Sequence, residues 1–177
     1  MKIVPELRSR RVEIRAATVA DRASFVHTVV RSGIESVRPV LDPGAGPDRA
    51  DVLFTAVHRA SRDTLGFSVL FSHDQAAHIR CGIYLDPQRA KLGVGSEVVG
   101  LTINYAFAAF DVHRVITETT PASGGSFGLA VGGGTKSENS LTDRLWFRGR
   151  FWDLHGFQVT RREWEAELAA IESGESR

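Results

Sequence analysis

The sequence predicts an α/β fold, a mixed sheet flanked by helices, and three observations carry that prediction. A chain of 177 residues with 42% hydrophobic content has the size of one domain and the apolar side chains to hide roughly 70% of its unfolded surface. Short apolar or alternating runs between turn residues fill much of the stretch from Val12 to Leu85, as an antiparallel meander requires. From His78 to Thr119 the pattern reads strand, helix, strand, and such a crossover implies parallel pairing.

Each element has a local reason. Val12-Glu13-Ile14-Arg15-Ala16 alternates with period two, the mark of a half-buried strand. Thr18 and Asp21 then supply a hydroxyl and a carboxylate three residues apart, and Phe25, Val26, Val29 and Val30 follow at helical spacing, so a helix is expected to about Arg31. Gly33 to Asp51 holds Pro39, Asp42-Pro43-Gly44-Ala45-Gly46-Pro47 and few large apolar groups, which predicts a short helical piece and a loop. Leu53–His58, Leu65–Phe71 and His78–Leu85 are three further strands, and Asp86-Pro87 stops the last because proline has no amide hydrogen to give. Between Gly93 and Phe110 two apolar stripes, Val94/Val98/Leu101/Tyr105 and Val99/Ile103/Phe107/Phe110, predict a helix covered on more than one side. His113–Thr119 reads as a strand, Phe127–Val131 as a short helix, Leu141–Phe147 and Phe151–Thr160 as a terminal hairpin, and Glu163–Ile171 as a final helix. The expected organisation is a single domain over residues 1–177, with a core of about 12–171 and frayed ends.

Composition excludes several function classes. With 22 Lys+Arg against 21 Asp+Glu and a net charge of +1, no global field holds a polyanion, so nucleic acid is not expected as a partner. Cys81 is the single cysteine, the N-terminus lacks a leader's apolar run, and no window approaches the roughly 18–20 apolar residues of a membrane span. A cytoplasmic protein without a membrane partner is the expectation. The six histidines show no metal-ligand spacing, so no metal is expected either.

The sharpest local feature is Leu85-Asp86-Pro87-Gln88-Arg89-Ala90-Lys91-Leu92-Gly93-Val94-Gly95-Ser96, a strand end passing through a glycine turn into a helix. Glycines let the backbone approach a ligand, and the amides opening a helix carry partial positive charge, which suits a phosphate. A turn that merely starts a helix has the same local pattern.

In its order of elements the chain resembles the GNAT superfamily of acetyl-CoA-dependent N-acetyltransferases, over roughly residues 12 to 164. Asp86-Pro87, Tyr105-Ala106-Phe107, His113-Arg114-Val115, Arg150-Phe151-Trp152-Asp153 and Arg161-Arg162-Glu163-Trp164 look most like the Rim-type branch, which acetylates the N-terminal amines of ribosomal proteins. The resemblance implies a sheet splayed between its fourth and fifth strands, with acetyl-CoA in the gap and coenzyme A as product. It implies that Leu85, Ala90, Lys91, Leu92, Gly93, Val94, Gly95 and Ser96 hold the cofactor, with Ala90 standing where the family has Arg or Gln and Arg89 or Lys91 as its replacement. Ser123-Gly124-Gly125-Ser126 falls on the family's Asn-x-x-Ser. Ser123 and Ser126 would therefore meet the pantetheine arm and the departing thiolate, Ser126 as its proton donor, although an N-cap explains Ser126 equally well.

Acetyl transfer also needs an amine freed of its proton, and Glu118 and Asp143 are the candidate carboxylates, with His155 behind them. Surface or structural roles suit the same two groups. Asp153 and Trp152 are the candidate substrate-binding residues, against an ion pair of Asp153 with Arg148 or Arg150 and plain packing of the tryptophan. No activated nucleophile is evident, Cys81 reading as a buried inert thiol, so direct attack without an acyl-enzyme is expected. The expected acceptor is a primary amine of a peptide N-terminus or small molecule, entering between the Gly33–Asp51 segment, with Asp42, Asp48 and Asp51, and the Phe147–Phe151 turn, although disorder explains that segment's composition equally well. The aromatic hairpin offers a homodimer surface. A second reading is a non-catalytic acyl-CoA-binding or regulatory module on the same fold, suggested by Ala90, Ser123 and Gly132-Gly133-Gly134.

Overall fold

The computed structural model describes residues 3–32, 50–71, 76–86, 89, 93–119, 139–147 and 150–174. Its elements are β1 (Val12–Ala16), α1 (Val19–Ser32), β2 (Ala50–His58), β3 (Thr64–Phe71), β4 (His78–Leu85), α2 (Val94–Ala109), β5 (Arg114–Thr119), β6 (Asn139–Phe147), β7 (Arg150–Thr160) and α3 (Arg161–Glu172). The described strands form one sheet in the order β1-β2-β3-β4-β5-β7-β6, antiparallel throughout except for β4 and β5. The mixed α/β sheet predicted from the sequence is therefore present, meander, crossover and terminal hairpin included. Strand β2 begins at Ala50 and not at Leu53, because Ala50 is drawn into pairing with Phe71 of β3, and the last helix begins at Arg161 and not at Glu163, because Thr160 caps it with Glu163 as its third residue.

Local signals set the element ends. Thr18 and Asp21 exchange hydrogen bonds, Asp21 N to Thr18 Oγ1 at 3.2 Å and Thr18 N to Asp21 Oδ2 at 2.8 Å, so the first turn of α1 is closed reciprocally. Thr160 and Glu163 do the same for α3. Between β2 and β3 the chain reverses through bonds from His58 N to Asp63 O and from Arg62 N to His58 O, both 2.8 Å.

The sheet has two covered faces. On one, Val12, Ile14, Phe54, Ala56, Leu70, Ile79, Cys81, Val115, Phe157 and Val159 pack with α2 and Trp164 of α3. On the other, Leu53, Phe67, Val69 and Tyr84 surround Phe25 of α1, whose ring meets both Phe67 and Tyr84 edge-on at 5.3 Å. Both predicted stripes of α2 are covered, since α3 lays Trp164 beside Gly100. The far end of α2 is clamped by Arg161, whose guanidinium donates to the carbonyls of Phe107, Phe110 and Val112 at 2.8 to 3.0 Å. The Phe107 carbonyl belongs to the last turn of α2, whose carbonyls outrun the intrahelical donors, so the clamp helps to satisfy the helix end and ties it to the residues that follow.

Candidate active site

The site begins where β4 and β5 separate. Their parallel ladder runs only through His78↔Arg114, Ile79↔Val115 and Arg80↔Ile116, although β4 continues to Leu85 and β5 to Thr119. Beyond it β4 pairs with β3 and β5 pairs with β7. At the first step past the ladder the Thr117 hydroxyl donates to the Cys81 carbonyl at 2.9 Å, a side chain closing the seam where backbone pairing ends. Burial pushes the Cys81 thiol up to about 12, with the Thr117 hydroxyl pulling weakly the other way. That thiol is no nucleophile near neutral pH.

The start of α2 lies just after β4. Gly93 is its N-cap in the left-handed conformation, φ 83°, and among the described residues no side chain caps the first turn. The Ser96 hydroxyl donates instead to the Gly93 carbonyl at 2.9 Å. Val94 is buried in the core and anchors the turn. The amides of Val94, Gly95 and Ser96 are thus the donors that a helix leaves over at its start, unclaimed by a capping side chain and suited to an anion. This arrangement fits a pyrophosphate. Arg89 bonds the Thr64 carbonyl at 3.2 Å and lies 3.5 Å from Asp86, so it braces the turn against β3.

On the α1 face, Tyr84 folds back along its own strand: a Cβ built on Gly82 would stand 2.9 Å from the phenol oxygen. Any larger residue there would have to displace the Tyr84 ring. Backbone register places Glu118 opposite Gly156 of β7, and Gly156 opposite Asn139 of β6. Asp143 lies four residues further along β6, within the register shift between Leu141 and Leu145, which at about 3.3 Å per residue is roughly 13 Å along the strand. The sheet therefore separates Glu118 from Asp143. Trp152 pairs with Leu145, and Trp152, Asp153 and Asp143 belong to the part of the β6–β7 ribbon that runs beyond the last β5 pair, Thr119↔His155.

Leu85 ends β4 at the separated edge, and Gly93, Val94, Gly95 and Ser96 gather at the start of α2. Ala90, Lys91, Leu92, Ser123, Ser126 and the predicted Phe127–Val131 helix lie outside the described residues, as do Asp42, Asp48 and most of the predicted entrance loop. Sequence reasoning missed Thr117, Tyr84 and the contact of Arg11 with Glu97. The only available signal for the last was an acidic residue in the first turn of a helix, Glu97. Among the described residues no group of three or more His, Cys, Asp and Glu gathers to hold a metal, and no helix is long and apolar enough to cross a membrane.

Comparison with known proteins agrees with this geometry. A family model for the acetyltransferase (GNAT) domain matches residues 11–134. No curated protein sequence matches the chain. Among solved structures, a spermidine N-acetyltransferase from Vibrio cholerae, in complex with CoA and spermine, is similar with a TM-score of 0.70 at 14% identity, covering 89% of this chain and 99% of that one. A GCN5-related N-acetyltransferase from Brucella melitensis gives 0.66 at 19% identity over 98% and 86%. A probable GNAT-family acetyltransferase from Chromobacterium violaceum gives 0.62 at 19% identity over 90% and 87%. With a splayed parallel pair, an uncapped glycine turn opening the crossover helix, and a family model spanning most of the chain, this protein belongs to the GNAT acetyltransferase family.

Proposed function

We propose that this acetyltransferase binds acetyl-CoA along the gap between β4 and β5, its pyrophosphate on the Val94, Gly95 and Ser96 amides, and acetylates a primary amine by direct attack. The observation that carries the placement is the early end of the β4–β5 ladder, sealed by Thr117 and bordered by a helix start with no side-chain cap. Unpaired strand edges leave backbone groups for a ligand that adds itself to the sheet. Bound acetyl-CoA supplies a thioester carbon open to an amine. As the C–N bond forms and the C–S bond breaks, the amine loses a proton and the thiolate gains one. Glu118, in register with Gly156 of β7, receives the proton in this reading, directly or through water, and Ser126 gives one to the thiolate. Alignment of amine and thioester supplies most of the acceleration in this reading, because among the described residues no activated nucleophile accompanies them.

The acceptor proposed is a cationic primary amine, reaching the gap past the overhanging β6–β7 ribbon with Asp153 and Trp152 beside it. Two subclasses follow from different observations. Polyamines are suggested by the spermidine N-acetyltransferase among the structural neighbours, and a peptide N-terminus by the Rim-type motifs, which rest on sequence alone. A cytoplasmic setting and a homodimer through the β6 edge complete the proposal. Calorimetry with acetyl-CoA, followed by an acceptor panel of spermidine, spermine and short peptides read by release of free thiol, tests it. Saturable cofactor binding and thiol release with at least one amine are expected. Absence of acetyl-CoA binding refutes the cofactor site, and binding without thiol release across the panel refutes the acceptor class.

A further inference from the structure

We propose that Arg11 is a positioning residue for acetyl-CoA: it neutralises a carboxylate at the start of α2 and sets its guanidinium against the glycine turn that receives the pyrophosphate. The inference rests on the cofactor site just described. Glu97 lies in the first turn of α2, where an uncompensated carboxylate is itself the anion that the first-turn amides attract. Unopposed, it would repel an incoming phosphate. It is not unopposed. Arg11 N donates to Glu97 Oε2 at 3.0 Å, Arg11 Nε to Oε1 at 2.5 Å, and the Ser9 hydroxyl to Oε2 at 2.5 Å. Burial works to raise the Glu97 pKa, and these three donors outweigh it, holding the carboxyl below its ordinary range.

The same guanidinium faces the turn. A Cβ built on Gly93 would stand 2.5 Å from Arg11 Nη2, so glycine serves twice there, for its left-handed φ and for the room it leaves the arginine. The residue leading into β1 thereby brings a fixed positive group to the loop whose leading position, Ala90, carries none. The ion pair is part-exposed, with 40% of the Arg11 side chain and 20% of the Glu97 side chain open to water. Its main contribution is therefore local potential and turn geometry, not global stability.

The test is acetyl-CoA binding by calorimetry at low and high NaCl, with kcat at saturating donor, for the parent, Arg11→Gln and Arg11→Lys. Arg11→Gln should weaken binding about tenfold at low salt, the worth of one charge-assisted contact. The gap should narrow at high salt, kcat at saturation should hold, and Arg11→Lys should recover most of the affinity. If Arg11→Gln does not fold, the double variant Arg11→Gln with Glu97→Gln is compared with Glu97→Gln alone, which keeps the arginine at the turn, and the same salt-dependent loss is expected between those two. Parent-like affinity in the Gln variant, or a loss indifferent to salt and to lysine, overturns the proposal. If the parent itself binds no acetyl-CoA, the cofactor site is refuted and this proposal with it. If the parent binds and the Gln variant binds equally, this proposal alone falls.

Discussion

Thr117→Val tests the seam between β4 and β5. Valine fills nearly the same space, and Thr117 is only 6% exposed, so the change deletes one donor and little else. The Cys81 carbonyl then loses the bond it accepts at 2.9 Å, in a residue only 3% exposed. A buried acceptor stripped of its partner costs about 1–3 kcal/mol, offset by up to about 1 kcal/mol for the added apolar group. Taking the middle of each range, the net loss is about 1.5 kcal/mol, and at about 2–4 °C per kcal/mol for a chain this size the midpoint should fall by about 3–6 °C. Thermal unfolding followed by circular dichroism reads this, with Thr117→Ser, which keeps the donor, as the control. Because the hydroxyl sits at the apex of the gap, acetyl-CoA affinity should fall in the valine variant alone. A valine variant as stable as the parent, with unchanged cofactor affinity, would refute the reasoning that this hydroxyl closes the seam.

Asn104→Leu should destabilise by about 2–4 kcal/mol in urea unfolding, because the Val4 carbonyl and the Trp164 indole N–H both lose the partner they have at 2.7 and 3.1 Å; parent-like stability would mean that water replaces both bonds. Glu97 has a folded pKa below its ordinary 4.5, so the unfolded state binds its proton more readily and its contribution is present above that value and lost as pH falls through the lowered one. Urea midpoints between pH 6 and pH 3 (chosen to span roughly that range) should fall less steeply for Glu97→Gln than for the parent, and parallel slopes would contradict the linkage. Ser126→Ala should retain acetyl-CoA affinity and lose turnover, about tenfold or more in kcat; an unchanged kcat in a folded variant would leave Ser126 a capping residue only.

Much of the fold was legible because its signals are local. The alternation in Val12–Ala16, the Thr18 and Asp21 pair, the proline after Asp86 and the double stripe of α2 each act within a few residues, and each has its expected counterpart. Three of the motif residues that suggested the family are staples. Tyr105 packs edge-on to Phe54 at 4.8 Å, Arg161 clamps the end of α2, and Trp164 bonds Asn104. Residues that hold a scaffold identify the scaffold, which is why they spoke clearly for the fold and faintly for the acceptor. What stayed hidden depended on distance in the chain. The roughly 13 Å that separate Asp143 from the level of Glu118 follow from register across three strands, and the meeting of Ser9, Arg11 and Glu97 follows from how β1 docks beside α2. Neither leaves a periodic trace in the sequence.

Asn104 also bears on the order in which the molecule can be completed. Its side chain donates to Val4, one hundred positions earlier, and accepts from Trp164, sixty positions later. A chain emerging amino end first can assemble the meander and lay α2 upon it while this amide remains half satisfied. The sheet itself has a matching gap, since β5 gains its second neighbour only with β7. Until residue 164 has been made, the amino-terminal segment is held at Asn104 by one bond next to an unclaimed acceptor, and β5 presents an open edge to other chains. Late, long-range closure of this kind slows folding and makes the nascent enzyme most prone to mispairing just before its last helix arrives.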